Sequence, residues 1–186
     1  MAVILHKTTF RRLADLELKA WKDADTASVS DCLGRFMSMD GGIQSLDSTL
    51  SLLGQARTVR CMVGDNSALH VALDIAEPGD VLVVDGEGFV GHALWGGLMT
   101  QAAKLKGLAG IVIDGAVRDS RQIAESGFPC FARGRVPAGP HKNFGGSVDG
   151  PIACGGVAIN AGDLVVGDAD GVVVVPLAQV EKTHAA

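Results

Sequence analysis

The segments VLVVD (81–85), WGGLMTQAAKLK (95–106) and GIVID (110–114) decide the fold, because they read as a strand, a helix and a second strand in direct succession. The first and third are short, continuous apolar runs, typical of strands that are buried on both faces of a sheet. Gly107 is suited to end the helix between them. This order of elements predicts an α/β protein.

The flanking sequence continues this pattern. Apolar residues at near-helical spacing predict a helix over residues 8–24, and Thr26 and Ser28 are expected to cap a short helix over 29–36, giving an N-terminal helical segment at about 8–36. Residues 133–156 are rich in Gly and Pro and are expected to form a long surface connection. The other predicted elements are a strand over 55–63, a helix through 69–75 capped by 65–67, a helix over 120–126, a strand over 128–132, and short strands at 159, 164–167 and 172–175.

Length and composition indicate one domain over residues 1–186, since 47% of the residues are hydrophobic and can fill a single core. The net charge of −5, without a Lys/Arg-rich run, argues against nucleic acid or an anionic membrane as a partner. No apolar run reaches the ~20 residues of a membrane-spanning helix, and we see no secretory signal at the start. Four widely spaced cysteines without a CxxC pair are interpreted as reduced core thiols of a cytoplasmic protein.

Gly96 and Gly97 lie where the central helix is expected to begin. The first N–H groups of a helix have no intrahelical partner and attract carboxylates, and glycine leaves that backbone accessible. The alternative interpretation of the two glycines is close packing of the helix.

Arg118 and Asp119 follow the buried strand that ends at residue 114, at the edge where α/β folds bind ligands. Arginine matches a carboxylate or a developing enolate oxygen, and aspartate offers a hard oxygen to Mg²⁺. A local ion pair at the start of the next helix would explain the same dipeptide. Asp85 and Asp168, which also end apolar strands, are interpreted as turn formers.

The glycines of DGEGFVG (85–91) superficially resemble a nucleotide-binding or methyl-transfer motif. The signal is weak, because residues 89–94 separate these glycines from the helix that a phosphate-binding turn would open directly. A strand-ending turn is the preferred interpretation, and S-adenosylmethionine binding is the test of the alternative.

Gly97 is followed after twenty residues by Arg118 and Asp119, a spacing that resembles the signature of RraA-like proteins and of class II 4-hydroxy-4-methyl-2-oxoglutarate / 4-carboxy-4-hydroxy-2-oxoadipate aldolases. The likeness covers nearly the whole chain and includes TASVSDCLGR (26–35), PGDVLVVDG (78–86), IDGAVRD (113–119) and GDLVVGDADGVVVVP (162–176).

The resemblance implies a compact single-domain β/β/α sandwich that assembles as a homotrimer, or as a hexamer of two trimers. It implies that Arg118 and the backbone of Gly96, Gly97, Leu98 and Met99 bind the pyruvate unit of an α-keto acid. Asp119 is then the ligand of Mg²⁺, Mn²⁺ or another divalent metal. The implied activity is that of a carbon–carbon lyase, by retro-aldol cleavage, oxaloacetate decarboxylation or both, through a metal-stabilised pyruvate enolate.

The chain departs from the aldolase pattern at Gln122, where those enzymes carry an acidic residue, and in having only ten residues after Pro176. We therefore expect decarboxylation, which needs no base for a 4-hydroxyl, to be more robust than aldol cleavage. The alternative is a non-catalytic RraA-type regulator of a ribonuclease, although regulators of ribonuclease E lack the metal-binding aspartate. His92 is expected closest to the cleft, with a structural role preferred.

Two other groups of residues carry weaker expectations. Lys104 and Lys106 are expected on a solvated helix face. His141 with Lys142, in the long connection, is a candidate for contact with a neighbouring subunit.

Overall fold

A buried mixed β-sheet organises the protein in a computed structural model that describes residues 2–185. Within these residues ten strands form the sheet, and two more form a separate antiparallel hairpin. The sheet strands are β1 (Val3–Leu5), β2 (Gln44–Ser45), β3 (Leu52–Cys61), β4 (Asp80–Asp85), β5 (Ala93–Trp95), β6 (Gly110–Val117), β7 (Cys130–Arg135), β8 (Gly146–Val148), β11 (Leu164–Asp168) and β12 (Gly171–Val175); the hairpin is β9 (Ile152–Cys154) with β10 (Val157–Ile159).

Four parallel strands, β3, β4, β6 and β7, form the centre of the sheet. The other edge of β3 pairs antiparallel with β11 near its start and with β8 near its end. Beyond the end of β4, the short strand β5 takes its place beside β6, with Trp95 opposite Val117. This arrangement matters for function because β5 leads into Gly96 and Gly97, while β6 leads into Arg118 and Asp119.

In the described part of the chain, six α-helices and the hairpin cover the sheet: α1 (Asp15–Ala20), α2 (Thr26–Cys32), α3 (Ser67–Ile75), α4 (Gly97–Leu105), α5 (Ser120–Glu125) and α6 (Val180–His184). Alternation along β4 separates two cores, since successive side chains of a strand point to opposite faces. Leu82 and Val84 pack with α3, α4 and α5, whereas Val81 and Val83 pack under the hairpin. A third core lies between β11–β12 and the terminal helices. The predicted α/β fold with a β/β/α layering is confirmed.

The N-terminal helical segment is shorter than predicted. Residues 6–14 run without regular structure, because Gln55 binds their backbone: its Oε1 accepts from Leu13 N at 2.8 Å and its Nε2 donates to Arg11 O at 3.0 Å. The prediction of Thr26 and Ser28 as caps of the second helix was wrong. Asp25 caps α2 by accepting a hydrogen bond from Ser28 N at 2.8 Å, while Thr26 binds Asp168.

The predicted long connection over 133–156 was also wrong, because it holds the end of β7 and the strands β8 and β9. Three-residue strands leave little periodicity in a sequence, so sheet pairing rather than local pattern defines them. Gly107 ends α4 with φ +76°, as predicted. No helix among residues 2–185 combines the length and apolarity that spanning a membrane requires.

The cysteine prediction held for three residues out of four. Cys61, Cys130 and Cys154 are free and buried, whereas Cys32 is free but exposed at the end of α2. Burial raises the pKa of Cys61 and of Cys130 to about 12.

Candidate functional site

The beginning of α4 forms one wall of the candidate site. Gly96 is extended, with φ −162°, and precedes the first helical residue, Gly97. Thr100 anchors this turn, since its N–H donates to Gly96 O at 3.1 Å and its hydroxyl accepts from Trp95 Nε1 at 2.7 Å. The N–H groups of the first turn, which have no intrahelical acceptor, are thereby held at the edge of the sheet.

Asp119 connects this turn to the end of β6. It has a left-handed backbone, with φ 57° and ψ 31°, at the N-terminus of α5. Its side chain does not cap α5 and instead accepts a hydrogen bond from Gly97 N at 3.0 Å through Oδ2. Arg118 Nε lies 3.8 Å from the same oxygen, and both side chains are nearly half exposed. The three predicted residues Gly97, Arg118 and Asp119 therefore converge.

Glycine at position 96 makes this approach possible. A Cβ atom added there would lie 2.9 Å from Asp119 Oδ2 and 3.1 Å from Arg118 Cγ, which is tighter than side chains tolerate. Gly139 has a similar role on the other side, where an added Cβ would lie 2.9 Å from Arg118 Nη1. The two glycines thus fix the space in which the Arg118 side chain lies.

A cleft of about 410 Å³ opens over these residues. Among the residues predicted to bind substrate, Gly96, Leu98, Met99 and Arg118 line it, and so does the predicted metal ligand, Asp119. Gly97 takes part through its hydrogen bond to Asp119, while its α-carbon faces the neighbouring groove between α4 and α5.

The lining of the cleft includes three polar residues that the sequence analysis did not assign to it: Asn66, His70 and Lys142. Lys142 Nζ donates to Asn66 Oδ1 at 2.6 Å and lies 2.7 Å from His70 Nε2. Asn66 is itself fixed, because its Nδ2 donates to Leu94 O at 2.9 Å. The sequence analysis considered Lys142 only beside His141, as a candidate subunit contact, and Asn66 only as a helix cap.

The surroundings of His70 favour its neutral form. Partial burial of the ring and then the nearby Lys142 ammonium lower the pKa of His70. Burial acts to raise the pKa of Asp65, but hydrogen bonds from Ser67 and Phe144 outweigh it, so that this pKa is lowered. Asp65 thereby stays ionised and holds the start of α3, which carries Asn66 and His70, in place.

Two other predicted roles change with the structure. Gln122 lies against Gly97, where an added Cβ would approach its Oε1 to 2.3 Å, and lines the groove between α4 and α5 instead of the cleft. His92 stacks on Phe89, with ring centroids 5.8 Å apart, and packs against His141 at 4.6 Å. The histidine that lines the cleft is therefore His70, and the expectation that His92 lies closest was wrong.

The two lysines that follow the glycines differ in their surroundings. Lys104 is exposed, as expected for a solvated face, and its Nζ donates to Ser126 O. Lys106 is half-buried and donates to Leu73 O at 2.7 Å, so it ties the end of α4 to the end of α3.

Gly86 and Gly91, in the segment 85–91, each lie close to other atoms of the protein. A Cβ at Gly86 would lie 2.7 Å from Asp114 O, and one at Gly91 would lie 2.4 Å from Phe89 Cζ. Asp85 accepts a hydrogen bond from Glu87 N at 3.0 Å, and Asp168 accepts one from Asp170 N at 2.9 Å, so both form turns as predicted.

The carboxylate at Asp119 is suited to a weakly held divalent cation. Residues 2–185 contain no group of three or more His, Cys, Asp or Glu side chains arranged to hold a metal ion, which excludes a protein-only zinc cage in this part of the chain. Mg²⁺ keeps several waters and needs only one or two carboxylates. Asp119 supplies one half-exposed carboxylate in the cleft, and this donor set fits Mg²⁺ or Mn²⁺.

Comparison with known proteins gives a consistent result. The sequence model of the RraA-like family, described as Aldolase/RraA, matches residues 26–174. A Halalkalibacterium halodurans protein provisionally named 4-hydroxy-4-methyl-2-oxoglutarate aldolase is 43% identical over 157 residues, which is 84% of this chain and 75% of that protein.

Solved structures agree in fold. Streptomyces coelicolor RraAS2, described as an unusual member of the RNase ES inhibitor RraA family, has a TM-score of 0.85 and 32% identity, covering 95% of this chain and 92% of that one. The RNA-processing inhibitor RraA from Thermus thermophilus has a TM-score of 0.76 and 32% identity, covering 83% and 93%.

Proposed function

The chain belongs to the RraA-like family, and from that premise we propose that it is a carbon–carbon lyase of the aldolase type. Its substrate would be an α-keto acid that contains a pyruvate unit. Its activities would be retro-aldol cleavage of 4-hydroxy-4-methyl-2-oxoglutarate-type compounds, decarboxylation of oxaloacetate, or both.

One observation carries this proposal: the backbone turn at the start of α4, the Arg118 guanidinium and the Asp119 carboxylate meet in one cleft. The 3.0 Å hydrogen bond from Gly97 N to Asp119 Oδ2 joins the turn to the carboxylate. A keto acid needs these three kinds of group. Its carboxylate suits helix N–H donors, its keto oxygen suits a cation, and the enolate left after bond cleavage needs a nearby positive charge.

Asp119 would hold the divalent cation, Mg²⁺ or Mn²⁺, which when bound polarises the keto oxygen as a Lewis acid. Arg118 faces the cleft with its Nε 3.8 Å from Asp119, so its charge lies where negative charge accumulates on the substrate oxygen. The backbone at Leu98 and Met99 orients the carboxylate. One preorganised donor of this kind is typically worth about 3 to 4 kcal/mol in the transition state.

The balance between the two activities depends on a base for the 4-hydroxyl proton. Gln122 lies in the adjacent groove and carries no charge, so it does not supply that base within the cleft. Decarboxylation needs no such base, and it is the activity that we expect to be more robust.

The test is release of pyruvate from oxaloacetate, followed with coupled lactate dehydrogenase in the presence and absence of Mg²⁺. Asp119→Ala and Arg118→Ala are expected to lose at least about tenfold in kcat/KM, which is ~1.4 kcal/mol of barrier lowering. The matched controls are Asp23→Ala and Arg121→Ala, which change exposed residues outside the cleft and should retain the parent activity. If all four variants keep the parent's kcat/KM, the proposal is refuted.

A regulator of a ribonuclease is the second candidate, because the fold matches two solved RraA inhibitors over most of the chain. Calorimetric binding of an RNase E-type ribonuclease that survives Asp119→Ala would favour this role. We further propose that the protein is cytoplasmic and assembles as a homotrimer or as a hexamer of two trimers; light scattering of the purified protein checks the oligomeric state.

A further inference from the structure

The cleft that holds Arg118 and Asp119 also contains a positioned ammonium group. Lys142 Nζ contacts two side chains, Asn66 Oδ1 at 2.6 Å and His70 Nε2 at 2.7 Å. All three residues line the same cleft as Arg118 and Asp119. Two cationic side chains, Arg118 and Lys142, therefore line one cleft.

The hydrogen-bond partners determine which atom donates and which atom accepts in each of these contacts. Asn66 Nδ2 donates to Leu94 O at 2.9 Å, which leaves Asn66 Oδ1 as the acceptor from Lys142. An ammonium group has three protons and no acceptor capacity. His70 Nε2 must then accept the second proton, which requires a neutral imidazole with its hydrogen on Nδ1. The third proton of Lys142 remains for a ligand.

We propose that His70 is a positioning residue that aims the Lys142 ammonium into the cleft, where it binds a second carboxylate of the substrate. The dicarboxylic α-keto acids of the proposed function would then place their keto end at Arg118 and Asp119 and their distal carboxylate at Lys142. This inference rests on the proposed function and adds to it a residue that selects the distal half of the substrate.

The arrangement depends on pH through the charge of His70. The charged groups that act on its ring are Lys142, Asp74 and Asp65. Arg118 and Asp119 are the other charged residues that line the cleft. Protonated His70 cannot accept from Lys142 and would repel it at 2.7 Å. The subsite should thus be intact at neutral pH and weaken as pH falls through the lowered pKa of His70, below its ordinary value of 6.5.

Calorimetry with Mg²⁺ present can test this without catalysis. The probes are 2-oxoglutarate and 2-oxopentanoate, which share a five-carbon chain and differ in the distal carboxylate. For the parent at pH 7.5 we expect 2-oxoglutarate to bind about tenfold more tightly, the ratio that one charge-assisted contact typically gives. This preference should shrink at pH 5. His70→Leu should lose most of it at both pH values, as should Lys142→Gln.

His70→Gln provides the discriminating variant, because the Gln carbonyl oxygen can accept from Lys142 but does not titrate. It should keep the preference and show the same value at pH 7.5 and pH 5. His70 is exposed, so these substitutions leave the core unchanged. If His70→Leu keeps the parent's preference, or if the parent has none while still binding 2-oxopentanoate, the inference is overturned and the lyase proposal stands. If the parent binds neither acid and releases no pyruvate, both fail.

Discussion

Replacing Gly96 with alanine places one methyl group at the meeting point of the two proposed catalytic side chains. The added carbon would lie 2.9 Å from Asp119 Oδ2, 3.1 Å from Arg118 Cγ and 3.2 Å from Arg118 Nε. Ordinary contacts to carbon are about 3.5 Å or longer, so both side chains must move by roughly half an ångström. Because a misplacement of about 1 Å can cost ~10²-fold in rate, we expect kcat/KM for oxaloacetate to fall about tenfold, or ~1.4 kcal/mol.

Stability should change little in the same variant. Gly96 is extended, with φ −162° and ψ −174°, a conformation that alanine adopts freely. Arg118 and Asp119 are nearly half exposed and can turn outward without opening a cavity. Loss of a flexible glycine from the unfolded chain contributes about 0.4 to 1 kcal/mol in the opposite direction. The free energy of unfolding in urea should therefore stay within about 1 kcal/mol of the parent value.

Gly41→Ala is the matched control, since an added Cβ there meets nothing within 4 Å. It should leave kcat/KM at the parent value and raise the free energy of unfolding by no more than about 1 kcal/mol, the contribution of the lost glycine flexibility. A Gly96→Ala enzyme with full activity would show that the close approach of Arg118 and Asp119 to the start of α4 has no role in the reaction. A variant that unfolds several kcal/mol more easily would refute the view that only the site is disturbed.

Three further predictions concern stability and thiol chemistry. Gly54→Ala should lower the free energy of unfolding by about 3 kcal/mol in urea titrations, because its Cβ would lie 2.4 Å from the backbone oxygen of Gly79 in the sheet; a loss below ~1 kcal/mol would contradict this. Asp168→Asn should cost about 1 to 2 kcal/mol at pH 7. Burial acts to raise the pKa of Asp168, but hydrogen bonds from Thr26 outweigh it, and this pKa is lowered. The stabilisation is thus present above the unfolded pKa and is lost as pH falls through the lower folded pKa, so the gap between parent and variant should narrow as pH is lowered below the ordinary value of 3.8; a gap that stays constant through the acid unfolding transition would rule this out. Under native conditions a thiol reagent should modify Cys32 alone and rapidly, and Cys32→Ser should abolish that phase; fast reaction of the buried thiols in Cys32→Ser would refute it.

The central part of the fold was predictable because its signals are local. The apolar runs of β4 and β6 are buried along their whole length, and each is long enough to identify a strand. Gly107 marked the end of α4 through the left-handed conformation that glycine favours. The short strands β8 and β9 gave no comparable signal, because three residues contain too little alternation and only their partners define them.

The sequence by itself determined the α/β class, the order of β4, α4 and β6, and the residues Gly97, Arg118 and Asp119 as a candidate site. Their spacing along the chain carries this information, since the ends of adjacent strands meet at one edge of a sheet. Only the tertiary structure decided which other residues line the same cleft. Lys142 reaches Asn66 and His70 across more than seventy residues of sequence, and Gln122 turns into the neighbouring groove. Contacts of that separation arise from packing of whole elements, which no local pattern of residues encodes.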